Sequence, residues 1–272
     1  MRPLILISND DGYQALGINY LIDTLRPVAD ILVIAPDGPR SGFSAAITTQ
    51  VHMTLRTIRE EEGLTVMACS GSPVDCVKMA FNVVLPRLYG VADDGYTPLR
   101  KPDLIIGGIN HGDNSAVNVH YSGTMGVVIE GCMKGIPSVA FSLDTHDANA
   151  DFTPMAPYIR AVVDYVLTKG IPQGSCLNIN FPNTPSYQGV RICRMARGEW
   201  KEEFEKRSYP RGGDYYWLTG WFDVYEEPGC DADRAVLDEG HVAITPIRLD
   251  LTDYALKASL EKELNTIIQA EK

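Results

Sequence analysis

The hydrophobic residues of the first two-thirds of the chain fall into short runs that are apolar at consecutive positions rather than at every second one. LILIS (4–8), DILVIAP (30–36), LTVMACS (64–70), DLIIGGIN (103–110), SVAFSL (138–143) and CLNINFP (176–182) are of this kind. A strand with one wet face alternates; these do not, so both faces are covered, as in a parallel sheet packed between helices. The intervening segments are amphipathic at helical spacing. GINYLIDTLRPV carries Ile18, Leu21, Ile22 and Leu25 on one face, and PVDCVKMAFNVVL, GTMGVVIEGCMKG and APYIRAVVDYVLTKG behave in the same way. The last two end at Gly135 and Gly170, each followed by Ile-Pro, the pattern of a glycine cap with proline just beyond the helix. Strand–helix alternation of this sort predicts an α/β fold with a doubly wound, mostly parallel, Rossmann-like sheet.

The pattern changes between 197 and 228, which is aromatic and charged, holds Trp200, Trp217 and Trp221, and shows no helical periodicity. It reads as a β-arm or a long ordered loop whose aromatic side chains suit docking on another subunit. HVAITPIRLDLT (241–252) is strand-like again, and 253–272 form an amphipathic helix. The expected organisation is an α/β catalytic core over 1–195 and a C-terminal arm, strand and helix extension over 196–272 that serves oligomerisation.

Composition narrows the picture. The 272 residues carry 24 Lys and Arg against 35 Asp and Glu, a net charge of −11, which argues against a protein that follows a nucleic-acid backbone. The six cysteines, at 69, 76, 132, 176, 193 and 230, form no CxxC pair, and buried free thiols are expected. The opening MRPLILIS is too short for a membrane span or a signal peptide. The expected compartment is the cytoplasm, with no membrane association.

In an open parallel sheet, ligands bind beyond the carboxyl ends of the strands. Asn9-Asp10-Asp11-Gly12 follows the first strand, Asp37, Ser41 and Ser44 follow the second, and Asn110 and Asn114 follow DLIIGGIN. Adjacent carboxylates repel unless a cation or hydrogen bonds compensate, and a hard ion such as Mg²⁺ or Mn²⁺ takes oxygen ligands of these types. The same triplet is also the pattern of a turn with a helix cap. Ser122, Gly123 and Thr124 open a helix, where backbone N–H groups and hydroxyls receive phosphate, although capping alone accounts for Ser122 or Thr124. GSPVDC (71–76) is a second such helix start. His111 and His120 flank the region, and no HExxH, GxSxG, P-loop or GxGxxG pattern occurs.

Four segments, SNDDGYQALGI (8–18), APDGPRSGFSAAIT (35–48), GSPVDCV (71–77) and GGINHGDNSAVNVHYSGT (107–124), strongly resemble the SurE family of survival-protein nucleotidases, in the family's order. DADRAVLDEGHVAITPIRLDLT (231–252) is similar to the family's C-terminal segment, and 183–229 matches nothing. The resemblance implies a phosphatase that uses one divalent metal, Mg²⁺ or Mn²⁺, and acts on nucleoside 5′- and sometimes 3′-monophosphates. It implies Asp10, Asp11, Ser41 and Asn110 as metal ligands, and Asn114, Ser122, Gly123 and Thr124 as holders of phosphate. Asn9 and Ser44 are expected beside the substrate. Asp10, Asp11 and Asn114 are expected to be catalytic, and Asp233 to serve as a supporting acid or base. It also implies a homodimer or homotetramer with exchanged C-terminal parts. One departure stands out: where the family reads Leu-Gly-x-Asp-Val, this chain reads Ser115-Ala116-Val117-Asn118-Val119. The alternative reading is a nucleotide-binding protein with lost or altered catalysis.

Overall fold

The structure, a computed structural model, describes residues 2–270. Its centre is a nine-stranded sheet in the order β3-β4-β2-β1-β5-β6-β7-β13-β8. The strands are β1 (Leu4–Ser8), β2 (Asp30–Pro36), β3 (Leu55–Glu61), β4 (Leu64–Cys69), β5 (Leu104–His111), β6 (Ser138–Asp144), β7 (Ser175–Pro182), β8 (Val190–Ile192) and β13 (Val242–Arg248). The six strands from β4 across to β7 are parallel; β3 and β13 run antiparallel to their neighbours β4 and β7.

The doubled apolar runs have the expected cause. Along β1, Ile5 and Ile7 enter one core with α1 (Leu16–Leu25) and α5 (Ala156–Lys169), while Leu4 and Leu6 enter a second core. That second core is closed by a helical stretch made of α2 (Pro73–Met79), a π-turn (Ala80–Val84) and α3 (Leu85–Tyr89), together with Val127 of α4 (Gly123–Met133). The π-turn stands just ahead of Pro86, whose ring lacks an N–H and crowds the preceding turn. Gly135 and Gly170 follow α4 and α5 at φ +75° and +74°, and the Ile136 N–H returns to the Gly131 carbonyl as a glycine-terminated helix requires.

Residues 198–224 form the arm. β9 (Gly198–Lys201) pairs with β12 (Trp221–Val224), and β10 (Phe204–Ser208) with β11 (Asp214–Leu218). Both pairings keep one register, with Lys201 opposite Trp221 and Phe204 opposite Leu218, so the arm is a single interrupted hairpin. Its root is clamped by Glu226, which accepts from the Arg194 and Arg197 guanidinium groups and from the Arg197 N–H. The short α6 (Asp233–Asp238) and the outlying α7 (Tyr254–Ala270) complete the chain; residues 271 and 272 of the expected terminal helix lie outside the described residues. A division at 195/196 does not separate the core from an appendage. β13 pairs with Ser175–Asn180 of β7, and Val242 packs into the core of β1 and α1.

Candidate active site

β1 and β5 are neighbours, yet the chain leaves β1 toward β2 and leaves β5 toward β6, in opposite directions across the sheet. Diverging connections open a crevice at the carboxyl ends of such a pair. Ser8 stands opposite Gly107, so Asp10-Asp11 and Asn110-His111 emerge side by side. A cleft of ≈ 680 Å³ opens there, with Asp10, Ser41, Asn110, Asn114 and Ser122 in its wall.

Asp10 is 3% exposed. Burial pushes its carboxyl from the ordinary 3.8 up to about 6, the Thr124 hydroxyl works against that shift, and the charge of Asp11 adds to it. The Thr124 hydroxyl donates to Asp10 Oδ1 at 2.5 Å, and the Gly123 N–H also reaches the carboxylate. Residue 123 must be glycine for this contact, because a Cβ there would stand 2.7 Å from the Asp10 Cβ. The N-terminus of α4, capped by Ser122 through the Met125 N–H at 3.0 Å, thus points its positive end at the carboxylate pair. Asp11 Oδ2 accepts the His111 N–H at 3.3 Å and lies 3.6 Å from the ring Nδ1. Asn110 commits its Nδ2 to the Gly112 and His111 carbonyls at 2.7 and 3.3 Å, which leaves Oδ1 as the accepting end of the amide.

Asn114 is set by a ladder of buried polar groups. Its N–H donates to Asn180 Oδ1 and its Nδ2 to the Ser142 hydroxyl, both at 2.8 Å, and Asn178 Nδ2 donates to its carbonyl at 2.7 Å.

Four expected site features have other partners. Asn9 is fully buried and closes the turn with Gly12, donating to its carbonyl and accepting its N–H. Ser44 ties its loop to the segment before α4, donating from its hydroxyl to the His120 carbonyl at 2.6 Å; His120 is itself exposed and absent from the cleft wall. The start of α2 is closed by its own capping box, which occupies the N–H groups of Ser72 and Asp75. Asp233 is fully buried outside the cleft wall, where its carboxylate accepts the N–H groups of Ala116, Ala196 and Arg234. It holds chain segments together rather than facing a substrate.

That contact explains the altered loop. Ala116 takes φ +51°, a left-handed conformation that favours glycine, and the Asp233 carboxylate accepts its N–H there. Asn118 Oδ1 accepts the indole N–H of Trp200 at 3.0 Å. Trp200, Glu203, Leu218, Thr219 and Gly220 of the arm complete the cleft. Nothing in the local pattern of 197–228 marks these five, since only the hairpin register brings 200–203 and 218–220 together. Asp113, also in the wall, lies 3.6 Å from Arg234, which pairs with Asp144 at 2.8 Å.

Fold and site define a class: a doubly wound α/β protein with carboxylate, amide and hydroxyl oxygens gathered beside a helix start at its switch point. The sequence pattern of the family described as "Survival protein SurE" matches residues 5–202. The chain is 54% identical over 260 residues to the 5'-nucleotidase SurE of Phocaeicola vulgatus, covering 96% of each, and 51% identical over 255 residues to that of Bacteroides thetaiotaomicron, covering 93% of each. The crystal structure of the SurE protein from Aquifex aeolicus superposes with a TM-score of 0.78 at 32% identity, covering 95% of this chain and 98% of that one. The protein belongs to the SurE family.

Proposed function

We propose that the protein is a divalent-metal-dependent 5′-nucleotidase, a phosphoric monoester hydrolase that releases phosphate from nucleoside 5′-monophosphates, and that its substrates extend to 3′-monophosphates. The observation that carries this reading is the convergence of Asp10, Ser41 and Asn110 on one cleft beside the start of α4. The relatives, 5'-nucleotidases by name, support the substrate class.

The donor set fits a hard cation: two adjacent carboxylates, an amide oxygen and a hydroxyl, with the burial of Asp10 a cost that positive charge would offset. Asp10, Asp11, Ser41 and Asn110 would hold one Mg²⁺ or Mn²⁺, which when bound supplies charge neutralisation on phosphoryl oxygens and acidifies a coordinated water. The chain's own groups do the rest. Thr124 and the Gly123 N–H orient Asp10, the Gly112 carbonyl orients Asn110, and the Asn178–Asn180 ladder fixes Asn114 at the substrate phosphate. Ser122 lines the phosphate side of the cleft at the positive end of α4. Positioning and charge stabilisation of this kind dominate phosphoryl transfer.

The exposed apolar side chains of the arm (Phe204, Tyr216, Trp217) and of α7 (Leu256, Leu260, Leu264) support assembly as a homodimer or homotetramer, and six free thiols support a cytoplasmic setting. Among the described residues no helix is long and apolar enough to cross a membrane.

The test is phosphate release from a panel of nucleoside monophosphates with Mn²⁺, with Mg²⁺ and with a chelator, using wild type, Asp10→Asn and Asp11→Asn. Metal-dependent release that each substitution lowers by 10²-fold or more is expected. Wild-type rates in both variants overturn the assignment, and nucleotide binding without release under every metal supports a protein that has lost catalysis.

A further inference from the structure

The cleft has a second chemistry where the arm meets it. Trp200 lines the same cavity as Asp10 and Asn110, and its indole is held at two places. The N–H donates to Asn118 Oδ1, in the turn that follows Asn114, and the ring packs on Phe222, directly across the hairpin, with centroids 5.9 Å apart at 60°. An aromatic ring fixed by its edge and by a neighbouring ring is pre-organised, so little freedom is lost when a flat ligand settles on it. Leu218 extends the apolar surface, while the Thr219 hydroxyl and the Asn118 amide, also in the wall, offer polar edges. A cavity of ≈ 680 Å³ is of the size that encloses a ligand larger than a phosphate group.

We propose that Trp200 is the specificity-determining residue at the nucleoside end of the cleft: the nucleobase stacks on its indole, and Asn118 positions that indole through the N–H bond. The inference rests on the nucleotidase reading and deepens it, since it assigns the base-binding surface to the arm rather than to the strand ends that hold phosphate. Every base presents a flat face, so the platform selects for the presence of a base more than for its identity.

The experiment compares AMP with ribose 5-phosphate, which carries the same phosphomonoester without a base, using the full chain with Mn²⁺. Wild type, Trp200→Ala and Trp200→Phe are assayed for phosphate release, and their thermal midpoints are recorded. Trp200→Ala is expected to raise KM for AMP by roughly 5- to 150-fold, the range stacking on an aromatic side chain supplies. The kcat for AMP stays within a few-fold, and the loss is confined to the substrate that carries a base. Trp200→Phe, which keeps a ring and drops the N–H bond, recovers most of the AMP preference. An unchanged ratio of kcat/KM for AMP over ribose 5-phosphate in folded Trp200→Ala overturns the inference alone. A wild type that releases phosphate from neither compound overturns the nucleotidase reading and the inference with it.

Discussion

Replacing Asp10 by Asn should stabilise the metal-free protein while removing its activity. The carboxyl is buried beside Asp11 and sits at about 6 instead of 3.8. The folded state therefore holds a proton that the unfolded chain has already released between about pH 4 and 6, and stability falls as pH rises through that window. Above it the full cost applies: 6 − 3.8 ≈ 2.2, at 1.36 kcal/mol for each pH unit, or about 3 kcal/mol. Asn is neutral, and its Oδ1 still accepts from the Thr124 hydroxyl. Its amide nitrogen no longer accepts the Gly123 N–H, a loss of about 1 kcal/mol. The net gain for Asp10→Asn is about 2 kcal/mol at pH 8, and it shrinks by about 2 kcal/mol at pH 4, where the wild-type carboxyl is protonated in the fold. Urea unfolding in a chelator at both pH values, at one protein concentration, reads the difference. Adding Mn²⁺ at a hundredfold excess over its Kd should stabilise wild type by about 2.7 kcal/mol and the variant by far less. An equal difference between the two proteins at pH 8 and pH 4 refutes the electrostatic argument. A variant that keeps the full Mn²⁺ response refutes the ligand assignment.

Thr124→Val keeps the shape and removes the hydroxyl on Asp10; isothermal titration should show Mn²⁺ affinity weaker by about 10- to 100-fold, as for other groups that orient a ligand. Gly123→Ala places a methyl 2.7 Å from the Asp10 Cβ and 3.0 Å from Pro73 Cγ, so about 1–3 kcal/mol of stability and most activity should be lost together, read by unfolding and phosphate release on the same sample. Asp233→Asn should cost about 1–3 kcal/mol because one of the two oxygens that share the N–H groups of Ala116, Ala196 and Arg234 becomes an amide nitrogen that cannot accept. Its pH–rate profile should keep both limbs, whereas loss of one limb would restore an acid–base role.

The central strands were readable because burial on both faces leaves no polar alternation to confuse. β1 and β2 begin and end at the expected residues, and Asp10, Ser41 and Asn110 come together because topology alone dictates which strand ends meet. β3 is not legible: LRTIREE is an edge strand with one partner and a largely exposed surface, so it carries no buried apolar run to mark it. Residue type failed in a different way at Asn9, Ser44 and Asp233. A buried Asn, Ser or Asp satisfies backbone groups as readily as it binds a ligand, and the choice depends on which distant N–H groups arrive. For Asp233 they come from positions 116 and 196 as well as from its neighbour.

The departure at 115–119 and the unmatched arm are coupled through these same contacts. A residue with a Cβ in a left-handed conformation costs about 1–2 kcal/mol, and Ala116 is kept there at φ +51° by the Asp233 carboxylate. That carboxylate also holds the Ala196 N–H, two residues before the arm begins at Gly198. The turn that Ala116 opens ends by presenting Asn118 to Trp200, two residues beyond that start. One buried acid therefore fixes the root of the arm and the turn beneath it in a common frame. Changes in the 115–119 segment and in the arm are then expected to compensate one another, and to be felt at the loop of Ser41, which Ser44 ties to the His120 carbonyl just beyond that segment.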